Sequence, residues 1–210
     1  MVAFIAEESK GRPAGAPEFL AYSPKTARSV RLYCRPTFWR WAATEFDPYT
    51  TDVLVNQLVL NVQERKVSIA LKYEASDSTH IVFSKREVSG NVEAEILEYA
   101  ERNYFQCEFL GAKCKQEDAV HAENLLCMLS YINKFRESLS DRNLDSALRL
   151  VDRGEGTICD AISRLHERFS ENSGALLFEL VRQGRLIIKD VQKKRISGFT
   201  HIEVGEVRHA

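Results

Sequence analysis

The spacing of apolar positions changes period several times along the chain, and each change marks an element. Phe38, Trp39, Trp41 and Ala42 predict one or two helical turns between Tyr33 and Thr44, with Pro36 acceptable in a first turn. Trp39 and Trp41 cannot share a helical face, so at most one of them is fully core. Phe46-Asp47-Pro48 ends this helix. Alternation then takes over. Val53, Val55, Leu58, Leu60 and Val62 predict a strand, Gln63-Glu64-Arg65 a turn, and Val67, Ile69, Leu71 and Tyr73 a second strand. After the turn Ala75-Ser76-Asp77-Ser78, the run Thr79-His80-Ile81-Val82-Phe83 predicts a third. Val92, Ile96, Leu97, Ala100 and Tyr104 return to helical spacing, Cys107-Glu108-Phe109-Leu110 reads as a short strand, and Leu125, Leu126, Leu129, Ile132 and Phe135 form another helical stripe. The order is α, three β, α, β, α.

Beyond Ser138 three helical patterns follow at 144–152, 157–169 and 174–183, with Gly184 where a C-terminal cap belongs. Leu186-Ile187-Ile188 and Thr200-His201-Ile202-Glu203-Val204 are strand candidates joined by the basic segment Lys193-Lys194-Arg195. Three helices and a hairpin describe a winged-helix module. Gly11, Pro13, Gly15, Pro17 and Pro24 interrupt regular structure near the start. The expected organisation is a loosely structured arm at 1–25, an α/β domain at 26–138 and a winged-helix-like domain at 139–210.

Composition narrows the chemistry. With 29 basic and 30 acidic residues among 210, no uniform positive coat exists, so contact with DNA depends on local clustering. Two clusters stand out. Residues 24–44 hold Lys25, Arg28, Arg31, Arg35 and Arg40 without an acid, interleaved with Tyr33, Phe38, Trp39 and Trp41. Arg182, Arg185, Lys189, Lys193, Lys194 and Arg195 are opposed within their own stretch by Asp190 alone. Each cluster reads either as a phosphate-binding face or as solvated surface.

Cys34, Cys107, Cys114, Cys127 and Cys159 form no CxxC pair, and His80, His121, His166, His201 and His209 show no paired ligand spacing; buried reduced thiols and ordinary histidines are expected, with no metal. Gly154 and Gly156 lack the Gly-Lys-Ser/Thr ending of a phosphate loop. No apolar run approaches the ~18 residues of a membrane span, and the opening MVAFIAEESK turns acidic too early for a signal peptide. A cytoplasmic protein is expected.

Several pieces, in order, resemble the TnsA-type endonuclease subunit of heteromeric transposases over roughly residues 28–204. They are Glu45-Phe46-Asp47-Pro48 after the first helix, Gln57 on the next strand, the strand pair around Lys85, the run Tyr99 to Leu110, and Asn124-Leu125-Leu126 before a helix ending in Ser130-Tyr131. Ala175 to Asp190, ALLFELVRQGRLIIKD, resembles the family's final helix and strand. The resemblance implies a restriction-endonuclease-like, PD-(D/E)XK mixed sheet flanked by helices, followed by a small winged-helix-like domain. It also implies a DDE transposase subunit and an AAA+ regulator as partners.

The family's chemistry needs a helix Glu, a second-strand Asp and an acid two residues before a Lys, so that carboxylates hold Mg²⁺ and activate water. Here those slots fall on Thr37, Ala70 and Phe83, with only Lys85 retained. No Asp or Glu occurs between Arg65 and Tyr73, so no change of register restores the second acid. The expectation is a DNA-binding or assembly subunit without catalysis or cofactor. One alternative is a divergent nuclease using Glu74, Asp77, Lys85 and Glu93 or Glu95, for which alone Mg²⁺ would be needed. The other is a winged-helix protein adaptor.

Overall fold

The computed structural model describes residues 3–6, 12, 14–62, 65–84, 88, 90–111, 116–151 and 156–205. The chain divides into two compact units, Met1–Trp41 with Tyr49–Cys114, and Ala42–Pro48 with Lys115–Ala210.

The first unit is built on a five-stranded mixed sheet. Its strands are β1 (Ala3–Ala6), β4 (Thr50–Val62), β5 (Arg65–Ala75), β6 (Ser78–Ser84) and β7 (Phe105–Leu110), in the order β1-β4-β5-β6-β7. Strands β5 and β6 meet antiparallel through a two-residue turn, Ser76 and Asp77, at φ +49° and +62°. Two positive φ values in succession match the right-handed twist of the strands they join. Strands β6 and β7 are parallel, which requires a crossover, and α2 (Gly90–Arg102) supplies it. Val92, Ile96 and Ala100 repeat every four residues and bury one face of α2 against Leu60, Val62, Val67, Ile69, Ile81, Phe83 and Phe105. The stripe expected at Leu97 and Tyr104 is corrected: Leu97 is exposed, and Tyr104 lies beyond the end of the helix at φ +58°.

Strand β4 carries two extra residues relative to β5. Between Thr51 and Leu54, and again between Val55 and Leu58, three steps on β4 oppose two on its partner. The bulges fall at Asp52 and Asn56, whose φ values are +50° and +52°. A separate two-stranded ribbon, β2 (Phe19–Ser23) with β3 (Arg28–Leu32), precedes α1 (Arg35–Glu45). The stretch expected as a loose arm, 1–25, thus contributes β1 to the main sheet and β2 to the ribbon. Trp41 is fully buried and Trp39 only half so, as the helical spacing requires.

In the second unit α3 (Gln116–Lys134), α4 (Asp141–Val151) and α5 (Ile158–Phe169) all pack against α6 (Ser173–Arg182), whose residues from Ser173 to Leu180 are buried. A helix apolar all round belongs in the middle of a bundle. The boundary expected at 138/139 therefore lies inside this unit, because α3 carries Leu125, Met128, Leu129 and Ile132 as its buried side and Tyr131 meets Phe178 edge-on at 5.5 Å. Strands β8 (Gly156–Thr157), β10 (His201–Val204) and β9 (Leu186–Ile188) form a small antiparallel sheet in the order β8-β10-β9. A reciprocal cap starts α5, since Thr157 Oγ1 accepts from the Asp160 amide and Asp160 accepts from the Thr157 amide. Gly184, at φ +71°, ends α6: its amide donates to Val181 and the Arg185 amide to Leu180.

Candidate nucleic-acid interface

Thr37 is buried in α1, and its hydroxyl has no hydrogen-bond partner among the described residues. Ala70 is buried in β5. Phe83 belongs to the core beneath α2 and stacks on Phe109 at 5.4 Å. Lys85 lies outside the described residues. A hydroxyl, a methyl and a phenyl ring do not make a divalent-cation site.

The replacement acids are differently engaged. Glu74 accepts from Lys72 Nζ at 2.7 Å and from Thr79 Oγ1 at 2.7 and 2.9 Å. Burial pushes its carboxyl up, but the hydrogen bonds from Lys72 and Thr79 and the charges of Lys72 and His80 outweigh burial and hold it below the ordinary value. Asp77 sits in the β5–β6 turn, while Glu93 and Glu95 are two apart on α2 and point in different directions. Among the described residues no three His, Cys, Asp or Glu side chains come together as a metal site.

The eleven cations of the two basic clusters separate by their partners. Arg40 is held against the sheet: its Nε donates to Glu108 Oε2 at 2.7 Å, Nη2 donates to the Tyr73 hydroxyl, and the guanidinium lies 5.5 Å from the Tyr73 ring centre. Tyr73 in turn stacks on His80, its cross-strand partner, at 4.8 Å.

The second cluster is largely neutralised in space. Arg182 forms a two-pronged pair with Glu179, Nε to Oε2 at 2.7 Å and Nη2 to Oε1 at 2.6 Å, in a nearly buried setting. Burial disfavours the Arg182 charge, yet the hydrogen bonds it donates to Glu179 and the carboxylates of Glu179 and Glu45 raise its pKa above the usual value. Arg185 pairs with Asp145 at 2.7 Å, Lys189 with Glu203 at 2.9 Å, Lys194 with Asp190 at 3.2 Å and Arg195 with Glu123 at 2.8 Å. Six cations thus meet five carboxylates, and Lys193 alone has no ion pair among the described residues. Lys194 and Arg195 remain 78% exposed, so water and salt weaken their pairs. The loop carrying them is pinned by Asn124 on α3. This buried side chain donates to the carbonyls of Val191 and Lys194, both at 2.7 Å, and accepts from the Ile196 amide at 3.0 Å. Sequence reasoning gave Asn124 no role, because nothing local links it to residues about seventy positions later.

Arg28, Arg31 and Arg35 resemble Lys193 and not the paired cations. All three are exposed, and none has an ion pair among the described residues. Alternation on β3 buries Val30 and Leu32 and turns Arg31 outward, beside Leu20 on β2. The ribbon is held from behind, where the Asn56 amide donates to the Arg31 carbonyl at 2.7 Å and Lys25 Nζ donates to the Thr50 carbonyl at 2.7 Å. Lys25 therefore staples the ribbon, while the arginines flanking it carry the accessible charge.

Cysteine and histidine add no competing site among the described residues. Cys34, Cys107, Cys127 and Cys159 are free, and the expectation of buried thiols is corrected for Cys127 and Cys159, which are exposed. Burial pushes the Cys107 thiol up to about 11, away from reactivity. No described helix is long and apolar enough to cross a membrane. No protein-family model matches the sequence, and no curated protein matches it either.

Proposed function

We propose that this chain is a non-catalytic DNA-binding and assembly subunit, related in design to the TnsA-type subunit of heteromeric transposases, with the β2–β3 ribbon and the start of α1 as its DNA-contacting face. The observation that carries the reading is the set of exposed arginines without ion pairs among the described residues, Arg28, Arg31 and Arg35, in a segment with no acid from Phe19 to Thr44. Such cations exchange condensed counterions for phosphates, which gives affinity without base choice. The mixed sheet with its α2 crossover supports a restriction-endonuclease-like reading of the first unit. In the second, α4, α5 and α6 followed by the β9–β10 hairpin support a winged-helix-like reading. In that design a DDE transposase subunit and an AAA+ regulator are the partners, and the lost acids at Thr37, Ala70 and Phe83 leave DNA positioning without cutting.

For the second unit, a protein-adaptor role is favoured by a specific pair of observations. Its basic loop is matched by acids, and Phe199, on the same hairpin, is 85% exposed. The test is incubation with supercoiled plasmid in Mg²⁺ and in Mn²⁺, alongside duplex binding at several salt concentrations. Binding that weakens with salt, without cleavage in either metal, is the expected result. Metal-dependent nicking would overturn the non-catalytic reading, and salt-insensitive retention of DNA would overturn the DNA-binding one.

A further inference from the structure

We infer that the β2–β3 ribbon lies in the major groove of duplex DNA and reads sequence there, with Arg31 recognising a guanine and Leu20 the methyl group of a neighbouring thymine. The inference rests on the DNA-binding reading above and adds base selectivity to it.

The ribbon is a two-stranded antiparallel sheet on its own, not a continuation of the five-stranded one. Its strands lie roughly 5 Å apart, and a major groove about 12 Å wide admits such a ribbon with its side chains, whereas the minor groove, at roughly half that width, does not. Register sets which residues face outward. Val30 and Leu32 are buried, with Ala21 and Phe19 as their cross-strand partners; Leu20 opposite Arg31, and Tyr22 opposite Ser29, take the other face.

Leu20, 66% exposed beside Arg31, offers its side chain to any apolar group that meets this face. A thymine methyl is such a group, and the O6 and N7 acceptors of guanine match the fork of an unpaired guanidinium. These two chemistries sit side by side on one cross-strand pair, so the bases they meet are close neighbours. Arg28, the exposed first residue of β3 on the Val30 side of the ribbon, and Arg35, the first residue of α1, flank this pair along the chain and supply phosphate contacts. The backbone under Arg31 is fixed by Asn56, so the side chain is presented from a braced strand rather than a loop.

The experiment selects binding sites for the full chain from a randomised duplex pool and then edits the selected site. Enrichment of a G with a nearby T is expected. Replacing that guanine by 7-deazaguanine, or that thymine by deoxyuridine, removes one acceptor or one methyl. The first should weaken binding by roughly five- to hundredfold, the range of one good base contact, and the second by less. Arg31→Lys keeps the charge but loses the planar fork, so it should weaken the guanine preference while keeping the salt dependence. Leu20→Ala should become indifferent to deoxyuridine. Salt-dependent binding with no enriched sequence, or an unchanged guanine preference in Arg31→Lys, overturns the inference and leaves the DNA-binding reading standing. Absence of salt-dependent duplex binding by the parent protein overturns both.

Discussion

The side-chain amide of Asn56 donates to the backbone carbonyl of Arg31 at 2.7 Å, and it reaches that carbonyl from a β-bulge at φ +52°. Asparagine tolerates this conformation better than most residues, and its side chain does the bracing. Asn56→Gly keeps the backbone and removes the hydrogen bond, at a cost of about 1 kcal/mol. Asn56→Ala removes the bond and adds left-handed strain of a further ~1 kcal/mol. Urea melts should therefore rank parent above Asn56→Gly above Asn56→Ala; an alanine variant as stable as the parent would contradict the bracing role.

Gly184 and Gly15 both adopt positive φ, +71° and +72°, but only Gly184 is crowded: a Cβ there would stand 2.8 Å from Pro48 Cγ, while Gly15 has nothing within 4 Å. Gly15→Ala should cost about 1 kcal/mol from strain alone. Gly184→Ala should cost clearly more, because the α6 cap and the Pro48 contact must both shift. Thermal melts of the two variants compare them directly, and equal losses would contradict the crowding.

Which parts of this architecture were legible follows from the range over which the determining contacts act. Alternation at Val67, Ile69, Leu71 and Tyr73 and the four-residue repeat of Val92, Ile96 and Ala100 reflect burial on one face, which any single segment reveals. The bulge at Asp52 did not show, whereas the one at Asn56 left a trace, a three-residue step from Val55 to Leu58 in an otherwise alternating run. The unit boundary did not show, since the Leu125–Ile132 side of α3 is equally apolar whichever neighbour covers it. For the candidate contacts, counting charge along the chain misled at the second cluster. Arg185 finds Asp145 forty residues away and Arg195 finds Glu123 seventy-two away, beyond any local window. At the first cluster Arg40 likewise finds Glu108 sixty-eight positions away, while Arg28, Arg31 and Arg35 meet no acid among the described residues.

Glu179 neutralises Arg182 in a nearly buried pair. Glu179→Leu leaves the guanidinium buried without its main partner, and removing one side of such a pair costs roughly 3–5 kcal/mol. Glu45 remains nearby and offsets part of the charge, so the loss should fall toward the lower end. Chemical denaturation checks this; a loss below that range would show that Arg182 reaches water when released.

Burial lowers the pKa of His121 below its ordinary 6.5, with Asp118 opposing the shift. The folded state therefore takes up its proton at lower pH than the unfolded state does. Between those two values the unfolded chain binds more protons, so stability falls as pH drops through about 6.5 and levels off below the folded value. His121→Gln should remove this part of the slope. A variant whose stability still falls as steeply as the parent's over that window would assign the titration to another group.

Where the accessible positive charge lies is measured by the salt dependence of duplex binding. Two triple variants are compared with the parent: Arg28→Ala, Arg31→Ala, Arg35→Ala on the ribbon face, and Lys193→Ala, Lys194→Ala, Arg195→Ala on the C-terminal loop. Each lost phosphate contact should reduce the slope of log K against log salt by roughly 0.9. The ribbon variant is expected to lose up to three such steps and most of its affinity. The loop variant should lose about one, because Lys194 and Arg195 are already opposed by Asp190 and Glu123. An unchanged slope in the ribbon variant, with the larger loss in the loop variant, would contradict the assignment of the DNA-contacting face.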